Sequence, residues 1–384
     1  MMKTYQHLGS FSNLVDEAKR QHKLFPVAQP GPTTQQRIRE TLGFGADSGG
    51  GGEQPQEVRV EGRWERDGVT GEVISWSVGY GPRTQAWFLR PTHHAEPLPG
   101  IVALHDHGGF KYYGKEKIAI GPDMPPAVMT EYRRGYYGGQ AYPNDLARAG
   151  YAVLIHDTFL WGSRRFPLQD IPAGIRELVA VSRSLWQPPA GSVWPEEIVE
   201  YNTCCGHHEH LVEKYCNLLG TSLAGVVCHE DRIATNYLRA RGDVIADRIG
   251  CMGLSGGGNR AAMLLASHDG VKAAVIVGLM STYEGLLDKN ILSHTWMLFP
   301  QHLGRYADWS DLAACRAPAP LLVQYDNEDD LFTPQGMHDA DERLALHYRN
   351  AGQPDAYTGQ FYPGPHKFDA AMQANAFKWI SERL

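Results

Sequence analysis

A serine framed by small residues, a histidine in a Gly-Pro loop and a crowd of carboxylates are residue types that can carry nucleophilic acyl transfer. The serine is Ser255, in Gly253-Leu254-Ser255-Gly256-Gly257. It follows the apolar run Ile249 to Leu254 and precedes NRAAMLLAS, an alanine- and leucine-rich stretch of strong helix propensity. Strand, tight turn and helix, in that order, are what a nucleophile elbow requires. Small neighbours let the backbone turn sharply and lift the hydroxyl into a cleft. The same pentapeptide also occurs in glycine-rich crossings with an idle serine, and here the flanks favour the nucleophile. The Gly256 amide falls at the start of the expected helix, where free N–H groups favour negative charge, so it is a candidate oxyanion donor.

A serine hydroxyl is too weakly acidic to attack an ester unaided, so a base must lie within hydrogen-bond reach, itself oriented by a carboxylate. In an alternating β/α architecture both follow the nucleophile, each in a loop after a later strand. YTGQFYPGPHKFD places His366, one of 17 histidines, between a strand and a final helix. PLLVQY from Pro320 opens into DNEDDLFTP, where Asp326, Glu328, Asp329 and Asp330 crowd one loop. Asp329 is taken as the acid because it lies four residues beyond Tyr325, the apparent strand end, with Asp330 as second choice. A second oxyanion donor is expected from HDHGG, His105 to Gly109: the amide of Gly109, or else Gly108.

Two segments carry metal-ligating side chains. His105, Asp106 and His107 are adjacent at a strand end, where successive side chains point to opposite sides and do not converge. In CCGHHEH, Cys204 to His210, a helix would place His207 and His210 on one face with Glu213 a turn further on. A closed zinc site recruits four well-separated ligands, so this segment reads as a partly buried polar helix near the cleft. No metal is assigned to either.

The elements that must position these residues are legible as short apolar runs. IVALHDHGG, YAVLIHD, RIGCMGLSGG, VKAAVIVGL and PLLVQYDNEDD each end in polar or glycine residues and are separated by helix-length segments. Strands buried on both faces look like this, so the fold class is α/β, a mostly parallel central sheet flanked by helices with the ligand site beyond the strand carboxyl ends. Val58 to Leu89 alternates as an antiparallel entry to the sheet. Residues 1 to about 45 read as helical, with Thr33 or Thr34 capping QQRIRETLG, and four consecutive glycines in GFGADSGGGGEQPQ mark a flexible break. The expected organisation is an appendage and Gly-rich linker over 1–52 and the main domain over 53–384. Long aromatic-rich insertions at 111–150 and 158–201 are candidates for a lid.

Bulk properties narrow the partners. The chain has 384 residues, 42% of them hydrophobic, enough for one large core without disulfides or metals. With 36 basic against 43 acidic residues the formal charge is −7, which argues against nucleic acid or an anionic membrane as the partner. The N-terminus MMKTYQHLGSFSNLVDEAKR lacks an apolar core and no run reaches the ~18 residues of a membrane span, so a cytoplasmic location is expected. The six cysteines lack C-x-x-C spacing and are expected to be reduced thiols.

HDHGGFKYYGKEKIA, DRIGCMGLSGGGNRAA, APAPLLVQYDNEDDLF and YPGPHKFD together resemble the α/β-hydrolase superfamily, and within it bacterial acetyl xylan esterase-like enzymes related to dienelactone hydrolases. The resemblance covers Arg59 to Leu384. It implies a Ser-Asp-His triad without a cofactor: Ser255 as nucleophile, His366 as base, Asp329 as acid, and Gly109 with Gly256 as oxyanion donors. Dienelactone hydrolases proper use cysteine where this chain has Ser255, so their lactone chemistry is not implied. The expected activity is hydrolysis of a carboxylic ester through an acyl-enzyme, removing short acyl groups such as acetyl from a small or carbohydrate ester. Whether the chain forms a homo-oligomer stays open. The alternatives are a peptidase akin to prolyl oligopeptidases, although no propeller blades precede the domain, and a non-catalytic binding protein on a hydrolase scaffold.

Overall fold

Aliphatic and β-branched runs too short for helices pair into a single sheet. The computed structural model describes residues 4–44, 53–184 and 194–384. Its strands are β1 (Gln56–Arg66), β2 (Val69–Ser77), β3 (Thr84–Pro91), β4 (Leu98–Leu104), β5 (Ala152–His156), β6 (Val244–Leu254), β7 (Val271–Val277), β8 (Leu321–Asp326) and β9 (Tyr357–Tyr362). They lie in the order β1-β2-β3-β5-β4-β6-β7-β8-β9. The pairings β1/β2, β2/β3 and β3/β5 are antiparallel, and all those from β5/β4 through to β8/β9 are parallel. The antiparallel entry and the mostly parallel sheet thus both appear where the sequence patterning put them.

The connections carry α1 (Asn13–Gln21), α2 (Pro32–Leu42), α3 (Ala127–Tyr136), α4 (Tyr142–Arg148), α5 (Ala173–Ser184), α6 (Glu196–Leu218) and α7 (Leu223–Arg239). Beyond the centre of the sheet come α8 (Gly256–Ser267), α9 (Tyr283–Leu286), α10 (Leu303–Tyr306), α11 (Trp309–Ala314), α12 (Pro334–Asn350) and α13 (Ala370–Ser381). Alternate strand residues feed two cores. Val102 and Leu104 of β4 and Ile276 of β7 pack with α7 and α8. Their neighbours Ile101, Ala103 and Val275 pack with α3, α4 and α13 on the other face. Each fully buried Val, Leu or Ile contributes roughly 1.5–3 kcal/mol, so covering both faces is what holds the sheet. Helix α8 is buried throughout, which accounts for its Gly- and Ala-rich sequence: only small residues let it approach the sheet this closely.

Two expectations need adjustment. Helix α2 starts at Pro32 behind Gly31, whose φ of 140° favours glycine, so a Gly-Pro start replaces the Thr33 or Thr34 cap. Ile38 and Leu42 of α2 are buried in the same core as α7 and α8, so this part of the N-terminal segment is packed into the main body. The glycine run at 49–52 lies outside the described residues. All six cysteines are buried thiols outside any disulfide. Among the described residues, no helix is long and apolar enough to cross a membrane.

Candidate active site

Ser255 joins β6 to α8 with φ 57° and ψ −121°, a region that residues with a side chain rarely occupy. Two backbone hydrogen bonds hold it there. Its N–H donates to the Val277 carbonyl at the end of β7 (2.8 Å), and its carbonyl accepts from the Asn259 N–H (2.9 Å). The turn is also pressed against the end of β4. A Cβ on Gly257 would lie 2.2 Å from the Leu104 carbonyl oxygen, and one on Gly256 would lie 2.6 Å from the His107 nitrogen. Glycine at these two positions is therefore a packing requirement. Among the described residues, the N–H groups of Gly256 and His107 donate to nothing, although they are neighbours at the open end of the turn.

The loop between β9 and α13 carries His366 and is tied down at several points. Lys367 N–H donates to Asp326 Oδ2 (3.0 Å), Phe368 N–H to the Tyr136 carbonyl (2.8 Å), and Glu328 N–H to the Gly364 carbonyl (3.1 Å). His366 Nδ1 lies 2.6 Å from Asp329 Oδ2, while Asp329 Oδ1 accepts from Leu331 N–H (2.9 Å). A carboxylate only accepts, so Nδ1 bears the proton and Nε2 keeps its lone pair, as a base requires. The imidazole lies against Gly278, just after β7, where a Cβ would come within 3.0 Å of His366 Cε1. Since Ser255 is bonded to Val277, the serine and the histidine meet at the same strand end.

Burial would push the His366 pKa down, but the Asp329 hydrogen bond and charge, reinforced by Asp326 and Asp106, hold it above the ordinary histidine value. Asp326 is the unexpected member of this group. One of its carboxylate oxygens lies within 4.8 Å of an Asp329 carboxylate oxygen and a His366 ring nitrogen, and among the described residues its Oδ1 is buried without a partner. Burial raises its pKa to about 7.

A cleft of about 250 Å³ brings together Ser255, His366, Gly256 and the His107–Gly109 turn. Its apolar wall comes from Leu279, Leu298, Leu331 and Phe332. Among the described residues no Lys, Arg, Asp or Glu lines it. His294, on the same wall, donates its Nε2–H to the Leu331 carbonyl (2.9 Å), and burial lowers its pKa to about 4, so it is neutral.

Of the two acids left open, Asp329 is the one that meets His366; Asp330 is exposed, and its carbonyl accepts from Asn290. The Gly109 amide does not face an oxyanion position freely, because it donates to the Nδ1 of His107 (3.0 Å) and closes its own turn. The side chains of HDH diverge: His105 lies on its neighbour's carbonyl, Asp106 accepts from Tyr137 and Tyr132, and His107 reaches Glu209. In α6, Cys204 and Cys205 join an apolar cluster, His207 is exposed, and His210 accepts from the Trp296 indole (2.8 Å). The segment 111–150 supplies Tyr136 to the cleft, while no described residue of 158–201 lines it; Trp161 lies behind the lining, its indole donating to the His107 carbonyl (3.4 Å). The wall residues Ser293 to Leu298 come instead from the β7–β8 connection, which sequence reading passed over because it carries no chemistry-bearing motif.

No protein-family model matches the chain. Among curated proteins it is similar to the Bacillus subtilis (strain 168) protein named "Putative hydrolase YtaP", at 22% identity over 330 residues that span 86% of this chain and 92% of the relative. Among solved structures, a Bacteroides fragilis NCTC 9343 protein described as a "putative acetyl xylan esterase" superposes with a TM-score of 0.61 at 16% identity, covering 92% of this chain and 82% of that one. The glucuronoyl esterase from Solibacter usitatus superposes with a TM-score of 0.59 at 14% identity, covering 91% and 92% of the two chains. At these identities the likeness is one of fold: this chain has the α/β-hydrolase fold.

Proposed function

We propose, with that fold as the premise, that this chain is a serine carboxylic-ester hydrolase working through an acyl-enzyme. The observation that carries the reading is the 2.6 Å Asp329–His366 pair, opening on the same cleft as the serine of a strand-to-helix elbow. Ser255 Oγ attacks the ester carbonyl carbon as His366 Nε2 takes its proton, and the carbonyl oxygen becomes an oxyanion. His366 then gives that proton to the departing alcohol. Water, deprotonated by the same nitrogen, attacks the acyl-enzyme and releases the acid and Ser255.

The oxyanion is assigned to the N–H groups of Gly256 and His107. The first stands at the N-terminus of α8, where the helix dipole adds to the hydrogen bond. The second replaces the expected Gly109, because the Gly109 N–H is spent on the His107 ring, whereas the His107 N–H is free beside Gly256. Such donors act where charge develops, and one of them typically accounts for about 10² to 10³ in rate.

The cleft's size, its aliphatic and Phe332 wall and the lack of Lys, Arg, Asp or Glu among its described lining residues favour a short, uncharged acyl group, acetyl above all, on a small or carbohydrate alcohol. A series of p-nitrophenyl esters tests this: acetate and butyrate should turn over, and kcat/KM should fall steeply beyond butyrate. Absence of turnover across the series would overturn the ester-hydrolase reading, and octanoate as the best substrate would overturn the short-acyl part.

The pH profile supplies a second check. Protonated His366 cannot accept the Ser255 proton, so kcat/KM is lost as pH falls through the His366 pKa, which lies above the ordinary 6.5. The Asp326 carboxylate is one of the charges that raise it. Asp326→Asn should therefore move the acid limb of the profile to lower pH while retaining activity on the plateau. A limb that stays put or moves up would show that Asp326 does not act on the base.

A further inference from the structure

The carboxylate of Glu209 accepts four hydrogen bonds beside the cleft, yet lies outside the triad. It is 5% exposed, on α6, inside the segment whose cysteines and histidines first drew notice. Its Oε2 accepts from His107 Nε2 (2.9 Å) and from the buried Lys111 ammonium. Its Oε1 accepts from Thr295 Oγ1 (2.6 Å) and from the Trp296 N–H (3.0 Å). One side chain thus ties the turn after β4 to the wall of the cleft contributed by the β7–β8 connection.

The His107 ring has a single arrangement of protons that satisfies its surroundings. Nδ1 accepts from the Gly109 N–H, so it holds a lone pair, and the ring proton sits on Nε2 and points at Glu209. The His107 carbonyl is held separately, by the Lys117 ammonium (3.3 Å) and the Trp161 indole (3.4 Å), and the ring packs edge-on to Trp161 at 5.1 Å. Ring and carbonyl are both anchored, and the His107 N–H is the group left to face Gly256. A carboxylate buried here would be driven toward its neutral form, but Lys111 and His107 outweigh burial and hold its pKa well below the ordinary range.

We infer that Glu209 is a positioning residue of the oxyanion-binding turn: through the His107 ring it fixes the direction of the His107 N–H. This rests on the ester-hydrolase reading and assigns to its site a support that the triad and the elbow do not contain. Misplacement of a catalytic group by about 1 Å can cost on the order of 10²-fold, whereas a brace that only holds α6 in place would alter stability and leave the chemical step alone.

The test is a set of variants assayed on p-nitrophenyl acetate. Glu209→Gln keeps the shape and loses the charge; it should lower kcat and kcat/KM together by about 10- to 100-fold, the sign of an interaction made in the transition state. In the double variant with His107→Asn, whose short amide keeps the Gly109 contact but falls short of Glu209, the loss should be no greater than in His107→Asn alone. Glu209→Gln leaves Lys111 without its counter-charge, so Lys111→Met/Glu209→Gln serves where the single variant does not fold. The other end of the contact gives the same answer independently: His107→Gln, whose amide N–H reaches Glu209, should keep more activity than His107→Ala by about tenfold or more. A folded Glu209 variant with the wild-type kcat, additive losses in the double variant, or equal activity of His107→Gln and His107→Ala would overturn the inference. Wild-type protein that hydrolyses no ester would overturn the ester-hydrolase reading and this inference with it. An active wild type with unaffected variants would overturn the inference alone.

Discussion

Ser255→Ala should lower kcat by about 10⁴ to 10⁶ and leave the folded protein as stable as the parent. The large loss is expected because, in the proposed mechanism, Oγ is the group that forms the acyl-enzyme: once it is removed, His366 has no alcohol proton to take and hydrolysis falls back on water held by the proposed oxyanion donors. Stability is expected to hold because alanine keeps the Cβ that the turn already accommodates at φ 57°, and neither backbone bond of Ser255, to Val277 and from Asn259, involves the hydroxyl. The measurement is steady-state turnover of p-nitrophenyl acetate beside a thermal melt, with a fluorophosphonate probe labelling Ser255 in the parent and leaving the variant unlabelled. A folded variant keeping a tenth of the parent's activity, or a probe that labels some other residue, would contradict the assignment.

Asp329→Asn should cost about 10⁴ in kcat, close to the loss seen when a triad acid is neutralised without changing its shape. The physical reason is the proton on His366. Asp329 Oδ2 accepts from Nδ1 at 2.6 Å and holds the imidazole in the tautomer whose Nε2 is free. An amide can instead donate to Nδ1, which moves the ring proton to Nε2, and a protonated Nε2 cannot accept from Ser255. The neighbouring Asp330→Asn is the internal control: its side chain is exposed, and its turnover should stay within about twofold of the parent, as surface substitutions usually do. Equal losses at 329 and 330, or no loss at 329, would break the assignment of the acid.

The fold, and the placing of Ser255 and the Asp329–His366 pair at one cleft, could be read from the sequence because each depends on local pattern. Buried parallel strands leave apolar runs, the elbow leaves glycines where a Cβ would strike β4, and the β8 and β9 loops leave their acid and histidine in chain order. What could not be read depends on backbone direction or on distant packing. HDHGG identifies the turn, yet which amide it frees is decided by the His107 ring folding back onto the Gly109 N–H, a three-dimensional fact without a sequence signature. Glu209 lies 102 residues from His107, and nothing in the sequence pairs the two. The N-terminal segment read as an appendage because the Gly-rich stretch after it looks like a boundary; Ile38 and Leu42 nevertheless sit in the central core, since amphipathic spacing reports that a face is buried without saying against what.

The left-handed backbone of Ser255 bears on how this chain can change. Residues forced into such torsions typically forgo about 1–3 kcal/mol, a large share of the roughly 5–15 kcal/mol by which domains stay folded. Glycine at 255 would relieve most of that burden and end the chemistry in the same step. Selection for heat tolerance alone would therefore favour a robust, inert descendant, and a programme to harden this protein has to score turnover in every round.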